Sequence, residues 1–362
     1  MTLEQCWHRV PGGTAGAAVE LAAALLARED VDPVGVAAAH RRPPASGAAM
    51  PRGLAVRQLP LPRPALYEAW HRARRPAVQR ATGPVDVVHA TGYAMPPRRG
   101  APVVWSVHDL AWRREPSSFT ARGRRFFEAA LACAARDADL VLCSSEATRA
   151  DAQAAGLAPG RLRVVPLGVR ARPVTEADVA DVRRRHALAR PYVLAVGTIE
   201  PRKNHRTLIE AMVRLDRRDV DLVLAGPAGW GPSLASAAGR LGDRARLLGF
   251  VRDADLAALY RGAEVVAYPS TWEGFGLPVL EAMAQGAPVV TSKGTSTEEV
   301  AGGAAVLVDP LDADALAAAV TRVLDDPALA ERLRAAGRAR AAELTWERCA
   351  ERTVAAYREV AG

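Results

Sequence analysis

Short apolar runs along the chain alternate with longer stretches in which apolar residues recur every three or four positions. The runs predict strands buried on both faces, and the longer stretches predict amphipathic helices. In the first half, strands are expected near 34–38, 54–59, 85–89, 103–108, 140–144 and 162–166, with helices near 15–28, 65–80, 118–136 and 146–155. A second series opens at Tyr192, with strands near 192–197, 222–226, 246–248, 265–269, 288–292 and 306–308. After Asp309 the pattern is helical to the end. Strict alternation predicts an α/β class with open parallel sheets. A chain of 362 residues is too long for one core, so two domains are expected. The polar segment 169–190 reads as the connector.

The beginning departs from this rhythm. A Gly-rich turn, Pro11 to Gly16, opens a helix, and such a turn normally follows a buried strand. Only 2–7 is available for that strand, and it is short and half polar. Either the first strand is atypical or the start of the chain is late.

Composition narrows the classes. No apolar stretch is long enough to span a bilayer, and no leader pattern is visible, so a cytoplasmic location is expected. Four scattered cysteines without metal-ligand spacing predict neither disulfides nor zinc. The net charge of +8 is uneven: through Arg170, Lys and Arg outnumber Asp and Glu by 23 to 14, and afterwards the ratio is 25 to 26. Only Lys203 and Lys293 are lysines, so arginine is the default cation and a retained lysine stands out.

Two segments carry chemistry. Gly197-Thr198-Ile199-Glu200-Pro201-Arg202-Lys203-Asn204 follows an apolar strand and precedes a helix with Asn204 as its expected N-cap. Two cations thus stand where helix N–H groups already favour an anion, which suggests diphosphate binding. The second segment runs from Ser270 to Met283, with Glu273 in a loop, Gly274 and Gly276 allowing close backbone approach, and Glu281 inside the following helix. Two carboxylates at one strand end suit sugar hydroxyls.

The string from Glu273 to Ser292, with glutamates eight residues apart, resembles the hallmark of family 4 retaining glycosyltransferases. The 197–204 segment resembles their donor-phosphate loop, and 297–304 resembles their Pro-Glu-Val-x-Gly pattern with Glu298 in place of proline. The resemblance implies the GT-B fold: two Rossmann-like domains facing across a cleft, with the last helix crossing back to the first. The boundaries it suggests are 1–168 for an acceptor-side domain, 169–190 for the connector, 191–344 for the donor domain and 345–362 for the returning helix. It implies that Arg202 and Lys203 hold the donor diphosphate and do the work of a metal. Glu281 would take the ribose hydroxyls. Glu273 would orient the sugar beside Gly274, Phe275, Gly276 and Leu277, with Gly197 in the same donor site. His108, ending the apolar strand 103–107, would contact the transferring sugar, and Asp109 would fix its tautomer. Gly13 and Gly16 would approach the donor phosphate, and His89 and Tyr93 would stand on the acceptor side.

No metal or covalent cofactor is expected. The co-substrate would be GDP-mannose or a UDP- or dTDP-sugar, as in bacterial mannosyl- and rhamnosyltransferases of polysaccharide assembly, and the acceptor a glycan or lipid-linked glycan. Two competing readings are a GT-B-fold nucleotide-sugar epimerase, which acts on donor alone, and a non-catalytic nucleotide-sugar-binding protein. Arginines at 63–80 and 113–125 stand among Tyr67, Trp70, Phe126 and Phe127. That mixture suggests peripheral docking on an anionic membrane rather than nucleic-acid binding.

Overall fold

Wholly apolar strands need cover on both faces, and the protein supplies it with helices packed on parallel sheets. The computed structural model describes residues 1–8, 12–44, 50–229 and 234–362. Pro11 of the Gly-rich turn lies outside them. The chain divides into two compact units, one of 1–168 with 346–362 and one of 169–345.

The first unit contains β1 (Val34–Ala37), β2 (Ala55–Gln58), β3 (Val88–Ala90), β4 (Val103–Val107), β5 (Leu140–Cys143) and β6 (Leu162–Val164). β1 pairs with β2, and β3 to β6 form a four-stranded sheet in that order, all parallel. The beginning of the chain joins them. Leu3 N–H donates to Val36 O (2.8 Å), Val36 N–H to Met1 O (2.8 Å) and Thr2 N–H to His89 O (2.9 Å). Residues 1–3 therefore lie between β1 and β3, where strand order reverses.

The strand expected over 2–7 stops there and turns into a 3-10 helix, Glu4–Trp7. Side chains explain the turn. Glu4 is buried and accepts from Ala38 N–H at 2.7 Å, while Gln5 Nε2 donates to Thr91 O at 3.2 Å. These side chains satisfy strand-end groups that further backbone pairing would have satisfied.

The helix expected over 65–80 is likewise broken. Helix Arg63–Glu68 runs into a wide turn, Ala69–Ala73, and Arg74 adopts a left-handed φ of 51°. The Arg74 guanidinium then collects the carbonyls of Trp70 (2.6 Å), Met95 (2.8 Å) and Pro96 (2.8 Å) and pairs with Asp137 at 2.5 Å. One of the arginines assigned to a membrane surface is thus a half-buried brace.

The second unit contains β7 (Tyr192–Val196), β8 (Asp221–Ala225), β9 (Ala245–Gly249), β10 (Val265–Tyr268), β11 (Val289–Ser292) and β12 (Val306–Val308). Their order is β9-β8-β7-β10-β11-β12, all parallel, so chain order reverses between β7 and β10. Ligands of open α/β sheets bind outside the carboxyl ends of the strands at such a reversal. The segment expected as a connector belongs to this unit. Its helix, Glu176–Arg185, has a Thr175/Asp178 capping box and buries Val179 and Val182, packing on helix Asp253–Arg261.

The last helix, Trp346–Ala361, belongs to the first unit and packs on helix Gly12–Leu26. Tyr357 OH meets His89 Nδ1 at 2.6 Å, Arg358 pairs with Asp30 at 2.6 Å, and Arg163 pairs with Glu359. No helix among the described residues is long and apolar enough to cross a membrane.

Candidate active site

The two motifs of the second unit meet because β7 and β10 are neighbours. Thr271 N–H donates to Arg202 O at 2.9 Å, tying the β10 loop to the turn after β7. Asn204 occupies the N-cap position, but its side chain does not cap. Its φ is 56°, its Nδ2 donates to Pro269 O (3.1 Å) and Pro310 O (2.5 Å), and its Oδ1 accepts from Thr207 Oγ1 (2.6 Å). It is a brace between loops.

This bracing presses Lys203 and Arg202 onto Glu273. Lys203 Nζ lies 2.6 Å from Glu273 Oε1 and also donates to Tyr268 OH, which in turn donates to Glu273 Oε1 at 2.9 Å. Arg202 Nη1 reaches Glu273 Oε2 at 2.5 Å, and Arg202 Nε lies 2.6 Å from buried Glu200. Two cations and two carboxylates therefore form a cluster of zero net charge. One ammonium hydrogen of Lys203 and the Nη2 amine of Arg202 have no partner among the described residues. Those are the donors the cluster can offer an anion.

Burial alone would raise the Glu273 carboxyl, but Lys203 and Arg202 outweigh it and hold the group down to about 2. Burial pulls the Lys203 ammonium below its ordinary range, against the opposing pull of Glu273. Glu273 therefore stands as a carboxylate at neutral pH, facing both cations. Lys203 also lies across Gly197, whose φ is 137°; a Cβ there would come within 3.2 Å of Lys203 Cε.

Glu281 sits one turn into helix Leu277–Ala284. Its Oε2 accepts from Tyr260 OH at 2.9 Å, while Oε1 has no hydrogen-bond partner among the described residues. Burial raises its carboxyl, with Asp253 adding to the shift and Tyr260 and Arg172 opposing it. Gly276 is the left-handed N-cap of this helix (φ 106°), and Ser296 Oγ holds the loop by donating to Glu273 O at 2.8 Å. Gly274 and Phe275 are buried in that loop, and half-buried Leu277 opens the helix. Sequence reading missed Glu200, Tyr260, Tyr268 and Gly226. A Cβ on Gly226 would lie 2.0 Å from Gly197 O, so the residue after β8 must be glycine for the turn after β7 to pass.

In the first unit, His108 follows β4. Its carbonyl accepts from Ser144 Oγ (3.0 Å) and Thr148 Oγ1 (3.3 Å), and its buried Nε2 has no partner among the described residues. Burial lowers its pKa, against Asp109 and the Thr91 carbonyl, so the imidazole is neutral at pH 7. Asp109 does not grip it: Oδ1 instead accepts from Tyr93 OH (3.1 Å) and Ala111 N–H (3.0 Å). The acceptor-side reading of His89 is not supported. It is 2 % exposed, and both ring nitrogens are used, by Tyr357 OH and by Ser106 Oγ at 2.8 Å. Gly13 and Gly16 lie in the first turns of helix Gly12–Leu26, with open space where a Cβ would be.

The aromatic residues among the arginines face inward. Trp70 is buried, Tyr67 stacks on Phe126 at 5.3 Å, and Trp112 stacks on Phe127 at 4.9 Å. Arg113 and Arg114 pair with Glu128 and Asp151, each at 2.6 Å. Arg122, Arg124 and Arg125 remain exposed, so only the cationic half of the membrane feature stands on the surface. Among the described residues, no three His, Cys, Asp or Glu side chains gather as metal ligands.

Comparison with known proteins places the chain in a family. Residues 179–340 match the family model "Glycosyl transferases group 1", and residues 11–172 match "Glycosyltransferase Family 4". The O-antigen chain mannosyltransferase B of Escherichia coli is 41% identical over 193 residues, 51% of each chain, so the match spans about half of that relative. The MMP alpha-(1->4)-mannosyltransferase of Mycolicibacterium hassiacum is 34% identical over 76% of this chain and 71% of its own. Among solved structures, Anabaena HepE in complex with UDP and glucose superposes with a TM-score of 0.75 at 20% identity, covering 98% of this chain and 97% of that one.

Proposed function

The chain belongs to the group 1 glycosyltransferases, with the GT-B fold, and from that premise we propose a retaining, metal-independent mannosyltransferase that uses GDP-mannose. The observation that carries this reading is the Arg202–Lys203–Glu273 cluster at the strand-order reversal of the second unit. The free donors of Lys203 and Arg202 would hold the diphosphate. Their charge would stabilise it as the bond to the anomeric carbon breaks and the electron pair leaves with the nucleoside diphosphate. The acceptor hydroxyl oxygen forms the new bond on the same face and loses its proton to the departing phosphate oxygen. Glu281 Oε1 is available to the ribose hydroxyls. Glu273 has three protein partners, which leaves it an acceptor position for one sugar hydroxyl. His108 Nε2 is a buried polar atom without a partner, as expected of a group that meets a substrate hydroxyl. The mannosyltransferases among the relatives support the choice of sugar and a role in polysaccharide assembly.

The test is a binding screen with GDP-, UDP-, dTDP- and ADP-sugars, followed by transfer in excess EDTA and assignment of the product anomer. We expect GDP-mannose to bind best, transfer to survive EDTA, and the product to keep the donor's anomeric configuration. Activity lost in EDTA and restored by Mg²⁺ or Mn²⁺ overturns metal independence.

We also propose that the enzyme works from the inner face of the cell membrane on a lipid-linked glycan, docked electrostatically through Arg122, Arg124 and Arg125. Co-sedimentation with anionic vesicles is expected at low salt and is expected to vanish at high salt. Protein left in the supernatant under both conditions makes a soluble acceptor the better reading.

A further inference from the structure

Residues 1–3 enter the first unit's sheet between β1 and β3, and ahead of Met1 the two walls continue around a cavity of about 560 Å³. It lies at the amino ends of the strands, opposite the edge at which His108 follows β4. Its form is a slot one strand wide. Residues 31–34 line one side and 84–88 the other, and the apolar side chains of Leu25, Val78 and Val354 close it.

The backbone on both walls is set for pairing. In a parallel ladder, alternate residues turn their N–H and C=O toward the same neighbour. Val36 N–H donates to Met1 O, and the Met1 amine donates to Val34 O at 2.7 Å. Val34 N–H therefore points ahead of Met1. On the other wall Thr2 N–H donates to His89 O, while Val88 N–H turns away to Pro102 O at 2.9 Å. His89 N–H and Val87 O thus point into the same slot. None of these three groups has a hydrogen-bond partner among the described residues. Buried backbone groups are almost always paired, so donors and an acceptor in register on facing walls imply a strand between them.

Charge points the same way. The Met1 ammonium stands where a ladder has a peptide N–H, and burial pushes its pKa down to about 5. A peptide bond in its place would carry no charge to bury. The rim of the slot is acidic. Asp30 there pairs with Arg28 and Arg358, whereas exposed Asp32 and Asp86 have no partner among the described residues.

We propose that an extended segment joined to Met1 fills this slot, running between β1 and β3 in the same direction as both and completing an inner strand of the sheet. At ~3.3 Å per residue it is about four residues long, to match 31–34. Its side chains are apolar on both faces, as in other strands covered on both sides, and a cation at its start meets Asp32 and Asp86. A small apolar ligand could fill the volume but could not pair groups on both walls at strand spacing. The inference rests on no reading of the reaction.

Two measurements decide it. The intact mass of the protein purified from its source should exceed that of residues 1–362 by several residues. In the recombinant chain, Met-Lys-Val-Val-Val placed directly ahead of Met1 should slow hydrogen exchange at the Val34 and His89 amides by roughly tenfold or more, because both become ladder donors. Met-Lys-Gly-Ser-Gly in the same place should leave them near the rate of the parent chain, since it buries no apolar side chain. A native mass no greater than that of residues 1–362 overturns the proposal. So does a valine extension that protects Val34 and His89 no better than the glycine–serine one.

Discussion

Replacing Lys203 with alanine should lower kcat/KM for transfer at least ~100-fold, the usual loss when one preorganised charge-stabilising donor is removed. The ammonium is buried, fixed by Glu273 and Tyr268, and keeps a hydrogen free for an incoming anion. Lys203→Arg should not restore activity. The lysine stem passes close to Gly197, and its nitrogen lies 4.9 Å from the centre of the Tyr268 ring. A planar fork has neither the shape nor the length for that slot. Steady-state kinetics with saturating acceptor, alongside GDP binding, decide the matter. Near-normal turnover in Lys203→Ala would take Lys203 out of the site.

The legibility of this site in the sequence follows from its physics. β7 and β10 are unbroken apolar runs, because both faces of a parallel strand are covered, and each ends in a loop dense with Gly, Pro and charge. Arg202, Lys203, Glu273 and Glu281 were therefore readable as residues at strand ends. What was not readable is which groups hold them. Tyr268 closes an apolar strand and looks like core until its hydroxyl is found between Lys203 and Glu273.

The first unit was harder to read because side chains replace regular structure there. Glu4 and Gln5 finish a strand that residues 1–3 only begin. Arg74 closes a helix that periodicity would have continued. His89 resembles a strand-end histidine, but its neighbour is Tyr357, 268 positions away. Arginine beside aromatic residues has two physical solutions, a membrane-facing helix or an inward aromatic cluster with cations outside. Only the packing of Phe126 and Phe127 distinguishes them.

Glu273→Gln should separate binding from turnover. In the wild-type cluster the charges of Lys203, Arg202, Glu200 and Glu273 cancel; with glutamine the same place carries one net positive charge. GDP, an anion, should bind no more weakly than to the wild type. Turnover should fall roughly 100-fold, because the neutral amide no longer orients the cations or the sugar hydroxyl as the charged group does. The variant should also be less stable at pH 7 by about 3 kcal/mol, the scale for breaking a buried ion pair. That deficit has a defined pH dependence. In the folded protein the Glu273 carboxyl titrates at about 2, below its ordinary value of 4.5. Its stabilisation is therefore fully present above about 4.5 and is lost as pH falls toward 2, where the unfolded chain takes the proton first. Glutamine cannot titrate. Denaturant unfolding of both proteins should give curves well separated at pH 7 that converge between pH 4.5 and 2. A separation that stays constant through that window, or GDP binding that collapses with turnover, would mean that Glu273 is not the counter-ion on which this site is built.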